Sequence, residues 1–93
     1  MWTVKDIENE CKRISAKVGD NFDLPIRVNG RLTRTLGRVT SRRLNDVWYP
    51  EVMEISKQFL ETATEESIKS VIAHEWCHYY VTKDTGEDHG HDR

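Results

Sequence analysis

At 93 residues, with 37% hydrophobic and 32% charged side chains, the chain is long enough for one globular domain and too rich in apolar and aromatic residues for a disordered one. The start, Met1-Trp2-Thr3-Val4-Lys5-Asp6, has no basic stretch leading into an apolar core, and no run reaches bilayer length, which argues against secretion and membrane insertion. The formal net charge of -2 conceals an uneven pattern: six arginines and no acid between Leu24 and Asn45, then an acid-rich stretch from Glu51 to Glu66.

Two cysteines, Cys11 and Cys77, make no disulfide framework and no Cys-x-x-Cys pair, as expected of a reducing compartment; a single bridge between them stays open at this level. In chain order, Val4, Ile7, Cys11, Ile14 and Val18 recur at helical spacing, so residues 3–18 are expected to form an amphipathic helix that packs on a sheet and stops at Gly19. Strands are expected over Leu24–Val28, Leu36–Ser41 and Val52–Ser56, with Asn29-Gly30 suited to a tight hairpin turn after the first. In the third, Val52, Glu54 and Ser56 alternate with Met53 and Ile55, the pattern of a half-buried strand able to offer main-chain groups to an extended peptide.

The arginines Arg27, Arg31, Arg34, Arg38, Arg42 and Arg43 have two readings. One is a solvated hairpin; the other is a basic face for DNA, whose binding would weaken steeply with salt. No base-reading motif accompanies them.

Thr62-Ala63-Thr64-Glu65-Glu66 opens a second helix, either threonine being able to cap it, with Thr62 three residues before Glu65 as in a capping box. Ile68, Ile72, Trp76 and Tyr79 gather on one side of this helix, and Val71, His74, Glu75 and His78 on the adjoining side. Cys77 projects away from the second group and reads as a packing or surface thiol. Gly86 is positioned to close the helix.

His74-Glu75-Trp76-Cys77-His78 is the stretch that carries chemistry. Four residues span slightly more than one turn, so both imidazoles leave the helix along nearly one line, close enough to share an ion. Glu75 lies about 60° around the helix from His78, beside such an ion without being obliged to bind it. Zinc held by His74, His78 and a third residue keeps an open position for water, with Glu75 as the base that passes a proton to a leaving amine. From His78 the helix runs roughly 7 Å to Lys83, and residues 84–90 can extend more than about 20 Å, so His89 or His91 can return to the ion.

The chain also resembles the SprT-like zinc metalloproteases, of the Spartan/SprT type. The residues that carry the resemblance are Asn29-x-Arg31, Thr35 and Gly37-Arg38; Val52-Met53-Glu54-Ile55-Ser56; and Ile72-Ala73-His74-Glu75-Trp76-Cys77-His78. The resemblance implies an α+β, minimal zincin-like domain: an N-terminal helix, a three-stranded antiparallel or mixed sheet, and an active-site helix carrying HExxH. It implies Zn2+ held by His74, His78 and His91, with His89 as rival third ligand, and Glu75 as general base. In the family the third histidine usually stands shortly before an aromatic residue, whereas here the chain stops at Arg93. Residues 1–93 are therefore expected to be a single SprT-like domain, incomplete at its C-terminal end.

The expected function is zinc-dependent hydrolysis of peptide bonds in a protein or peptide substrate by a cytoplasmic monomer, nucleoid- or nucleus-associated if DNA binds the arginine-rich segment. The rival reading is a zinc-stabilised, catalytically inactive module that binds nucleic acid or protein through a basic hairpin spanning Arg27 to Arg43. A third is a core fragment without activity on its own.

Overall fold

A computed structural model describes residues 1–87. Six elements follow in order: α1 (Val4–Lys17), β1 (Ile26–Asn29), β2 (Gly37–Leu44), β3 (Val47–Ser56), α2 (Lys57–Thr62) and α3 (Glu65–Thr85). The sheet is mixed, in the order β1-β3-β2, with β1 parallel and β2 antiparallel to the central β3. This is the α+β arrangement expected, with one topological difference.

The helices form where local chemistry favours them. In α1 the Thr3 hydroxyl accepts from the Asp6 N–H and the Asp6 carboxylate accepts from the Thr3 N–H, a capping box that satisfies two free donors. Ile7 and Cys11 are fully buried, while Val4 and Val18 at the ends are exposed. Gly19 follows at φ +74°, the left-handed conformation that ends a helix. For α3 the cap is Thr64, whose hydroxyl accepts from the Ser67 N–H at 3.1 Å. Thr62 is instead the last residue of α2, where it donates to the Gln58 carbonyl, so the Thr62–Glu65 capping box does not form.

Asn29-Gly30 is not a hairpin turn. The Asn29 side chain accepts from the Arg31 N–H at 2.8 Å, an Asx turn that leads the chain away from β1 and across the end of β3. The hairpin joins β2 to β3 instead, through Asn45 and Asp46 at φ 51° and 66°, the two left-handed residues of a type I′ turn. A bulge beyond Thr40 leaves Glu51 without a cross-strand partner, beside Pro50, which has no N–H to donate. The basic hairpin spanning Arg27 to Arg43 is thus corrected: Arg27 lies in β1, separated from β2 by the whole of β3.

Ser56 fastens the crossing segment. Its N–H donates to the Leu36 carbonyl at 2.9 Å, its hydroxyl donates to the Leu32 carbonyl at 2.7 Å, and the same hydroxyl accepts from the Phe59 N–H as the cap of α2. One side chain ends a strand, starts a helix and holds a loop.

β3 is buried on both faces over Met53–Ser56, not half-buried. Met53 and Ile55 join Ile7, Cys11, Phe22, Ile68, Ile72, Trp76 and Tyr79 in the core. On the other face no helix is needed, because Glu54 draws its strand neighbours over itself. Its carboxylate, 2% exposed, accepts from Arg38 Nε at 2.6 Å, Arg27 at 3.2 Å and Asn29 at 3.1 Å. Arg27 and Arg38 are its direct partners across the two ladders, so the three charges cross the sheet in register. Burial pushes the Glu54 carboxyl up, and the hydrogen bond and charge of Arg38, with Asn29 and Arg27, more than reverse this and leave it below the usual range.

A second polar knot joins α1 to α3. Trp76 donates its indole N–H to the Ser15 hydroxyl at 2.7 Å, Ser15 donates to Asp20 at 2.9 Å, and the Tyr79 hydroxyl donates to the same carboxylate at 2.9 Å. Lys83 completes it by pairing with Asp20. Burial raises the Asp20 carboxyl, and Lys83, Ser15 and Tyr79 together bring it below its ordinary value. Both cysteines are free, Cys11 in the core and Cys77 exposed, and no helix among the described residues is long and apolar enough to cross a membrane.

Glu54 and Asp20 both have depressed folded pKa values, so their contribution to stability is complete above the ordinary carboxylate values of about 4 and is lost as pH falls through the folded values. Urea denaturation from pH 7 to pH 3 is expected to show stability falling below about pH 4, with a shallower fall in Glu54→Gln; identical slopes would place the acid sensitivity elsewhere. Asp46→Gly, which relieves a side chain at positive φ, is expected to raise stability by about 0.5–1 kcal/mol despite losing the ion pair with Arg43, read as a higher urea midpoint.

Candidate metal centre

α3 delivers His74, Glu75 and His78 to one place because its core face is fixed. Ile68, Ile72, Trp76 and Tyr79 are buried against the sheet and α1, which sets the rotation of the helix and turns the histidines toward solvent. Trp76, between them in sequence, is held by Ser15 and stacks on Tyr80 at 4.9 Å between ring centroids.

The two imidazoles converge. His74 Nε2 and His78 Nε2 are 3.1 Å apart, with the rings nearly perpendicular at 84°. At the usual Zn–N length of about 2.0–2.1 Å, two nitrogens at that separation subtend about 100° at a shared ion, close to tetrahedral. The same separation is that of a hydrogen bond between the two ring nitrogens. The two residues thus fit zinc in donor type and spacing. Among the described residues no cluster of three or more His, Cys, Asp or Glu side chains is disposed to hold a metal. The expected third ligand, His91, and its rival His89 lie outside the described residues.

Glu75 is 2% exposed, on the sheet side of the pair. What lets β2 approach it is Gly37. A methyl group placed on Gly37 would lie 3.2 Å from the Glu75 side chain, 3.0 Å from Ile55 and 3.2 Å from the Glu54 carbonyl. The last contact is with backbone and cannot swing aside. Gly37 therefore sets the distance between the sheet and the carboxylate of α3.

A cleft of about 330 Å³ opens at this point, lined by Thr35, Leu36, Gly37, Ser70, Val71, His74 and Glu75. Its wall is the start of β2, an edge strand among the described residues. β3 was expected to offer its main chain to a peptide, but its residues 53–55 bond to β1 on one side and β2 on the other. Of the two edges among the described residues, β1 and β2, the one at the cleft is β2. A larger groove of about 440 Å³ lies elsewhere, by Trp2, Asp6 and Arg13, and includes neither imidazole. Gly37 and Leu36 escape a reading based on ligand types, since a glycine and an exposed leucine carry no chemistry of their own; the signal was only the Gly at the head of a strand.

Compared with known proteins, residues 4–93 match the SprT-like family. No curated protein matches the chain. No solved structure matches it either. Because the family match takes in every element from α1 to α3, the chain belongs to the SprT-like family.

Proposed function

We propose that the protein is a zinc-dependent hydrolase of peptide bonds, its ion held by His74, His78 and His91, with His89 the rival for the third position. The observation that carries this reading is the convergence of the two Nε2 atoms beside a buried glutamate, at the mouth of a cleft walled by an edge strand. Family membership supports it at the level of a metallopeptidase-related domain. The zincin-like reading of the domain is part of the same proposal.

When bound, zinc supplies a Lewis acid, which acidifies water and polarises a carbonyl. The rest is done by the chain. The free edge of β2 accepts and donates main-chain hydrogen bonds to an extended peptide, which aligns the bond to be cut along the cleft. Leu36 and Val71 contact the side chain beside that bond. Glu75 takes a proton from the attacking water and passes it to the leaving nitrogen. Its burial keeps that carboxylate away from bulk solvent, and Gly37 keeps the scaffold of β2 close enough to align peptide and base together. The substrate is a protein or peptide segment, and the residues 1–93 act as one domain in this proposal.

The nucleic-acid reading is weaker. Arg27 and Arg38 are paired with Glu54, and Arg43 is paired with Asp46. Half of the six arginines thus already face an acid of the same chain, which reduces the positive field available to phosphates.

Purified protein is expected to bind about one zinc per chain, with binding much reduced in His74→Ala; metal analysis after dialysis measures it, and no zinc uptake at neutral pH would sink the proposal. Glu75→Gln is expected to retain zinc and to lower kcat on an unfolded protein by at least about 100-fold. Hydrolysis that survives in Glu75→Gln would assign the base elsewhere. Gly37→Ala is expected to lose about 1–3 kcal/mol of stability through overpacking at three contacts, read in urea denaturation, with zinc binding retained.

A further inference from the structure

The cleft beside the imidazoles does not end at Leu36. On the other side of that residue lies a second cavity of about 190 Å³, lined by Thr33, Leu36, Ser56, Gln58, Phe59 and Thr62. Leu36 is the partition, and its side chain is 48% exposed between the two spaces. Nothing in the hydrolytic scheme above uses the second one.

Its chemistry is selective. No acidic or basic side chain lines it, whereas the grooves at Asp6, Glu10 and Arg13 and at Asp20, Lys83 and Asp84 both carry charges of either sign. Two of its hydroxyls are already engaged within the chain: Ser56 donates to the Leu32 carbonyl and accepts from the Phe59 N–H, and Thr62 donates to the Gln58 carbonyl. The groups left to face a ligand are the Leu36 and Phe59 side chains, the Thr33 hydroxyl and the Gln58 amide. A charged side chain entering here would lose water and meet no opposite charge among the lining residues, while an apolar one would lose water to its advantage.

Its position fits an extended chain. Successive residues of a strand advance about 3.3 Å and side chains two apart share a face, about 7 Å apart. A peptide aligned on β2 with one side chain in the first cleft carries the residue two further on past Leu36 toward the second.

We propose that the cavity at Leu36 and Phe59 is a side-chain subsite for the same polypeptide substrate, selecting an uncharged apolar residue two positions from the one held beside the imidazoles. The proposal rests on the peptide-hydrolase reading of His74, Glu75 and His78. It makes the protein selective for apolar segments, which folded proteins bury and unfolded ones expose.

The test uses the zinc-loaded protein and peptide pools randomised at single positions, with products sequenced by mass spectrometry. In the wild type, Leu, Met and Phe are expected to exceed Asp, Glu and Lys by roughly tenfold at one position, two residues from the residue in the first cleft. Gln58→Asp, on an exposed face of α2 and outside the first cleft, is expected to shift that position toward Lys and Arg and leave the adjacent one unchanged. Cleavage without preference there, or with a preference unmoved by Gln58→Asp, would overturn the subsite while leaving the hydrolase reading intact. If the wild type cuts nothing, the hydrolase reading fails separately, and acetylated tetrapeptides bearing Leu or Asp at that position are titrated by amide NMR. Shifts at Thr33, Gln58 and Thr62 with the Leu peptide alone uphold the subsite; none at those residues removes it.

Discussion

A sheet of three strands with helices on one side has an open face, and the carboxylate of Glu54 is what makes that face tenable. Its own strand is central, so the charge sits where both ladders meet, and the arginines it draws in stand directly opposite on β1 and β2. Their long aliphatic stems cover the sheet while their heads remain near water. Register follows from the same arrangement. A one-residue slip of either outer strand would turn its arginine toward the core and strip the buried Glu54 carboxylate of its partners on that side, leaving the charge only partly matched. The parallel pairing of β1 with β3, which no short turn enforces, depends on this most.

With the sheet fixed, α3 has little freedom. Its apolar side is set by the core and its far turns by Asp20, which reaches Tyr79, next to His78, and Lys83, more than a turn further on. The imidazoles therefore inherit their direction from residues that never approach an ion. Gly37 supplies the complementary constraint from the sheet, by what it lacks.

Much of this was legible in order of increasing sequence distance. Periodicity in Ile68, Ile72, Trp76 and Tyr79 identified α3 and its faces, since a helix is specified by neighbours a turn away. The His74–His78 pair followed for the same reason. Asn29-Gly30 misled because a hairpin turn and an Asx turn favour the same residues, and only the partner strand, more than twenty residues on, tells them apart. Asn45-Asp46, which forms the real hairpin, carries a weaker signal, its left-handed geometry being one that Asn and Asp tolerate without requiring. Locally, Glu54 reads as the polar side of a half-buried strand, because nothing nearby in sequence announces that Arg27 and Arg38 will close over it. Thr62 and Thr64 were equivalent as caps until α2 claimed the first. His91 lies outside the described residues, and its place as third ligand belongs to the proposal.

The three bonds made by Ser56 bear on how such a domain can vary. The segment from Gly30 to Leu36 crosses the end of β3 and is tied to that serine at two of its carbonyls, one near its start and one at its end. A deletion between Leu32 and Leu36 would have to break one of these bonds or drag the origin of α2 with it, whereas Thr33, Arg34 and Thr35 are exposed and an insertion among them can loop into solvent with both bonds intact. The wall of the cleft can therefore lengthen but not shorten, its minimum span being set by the serine that also starts a helix.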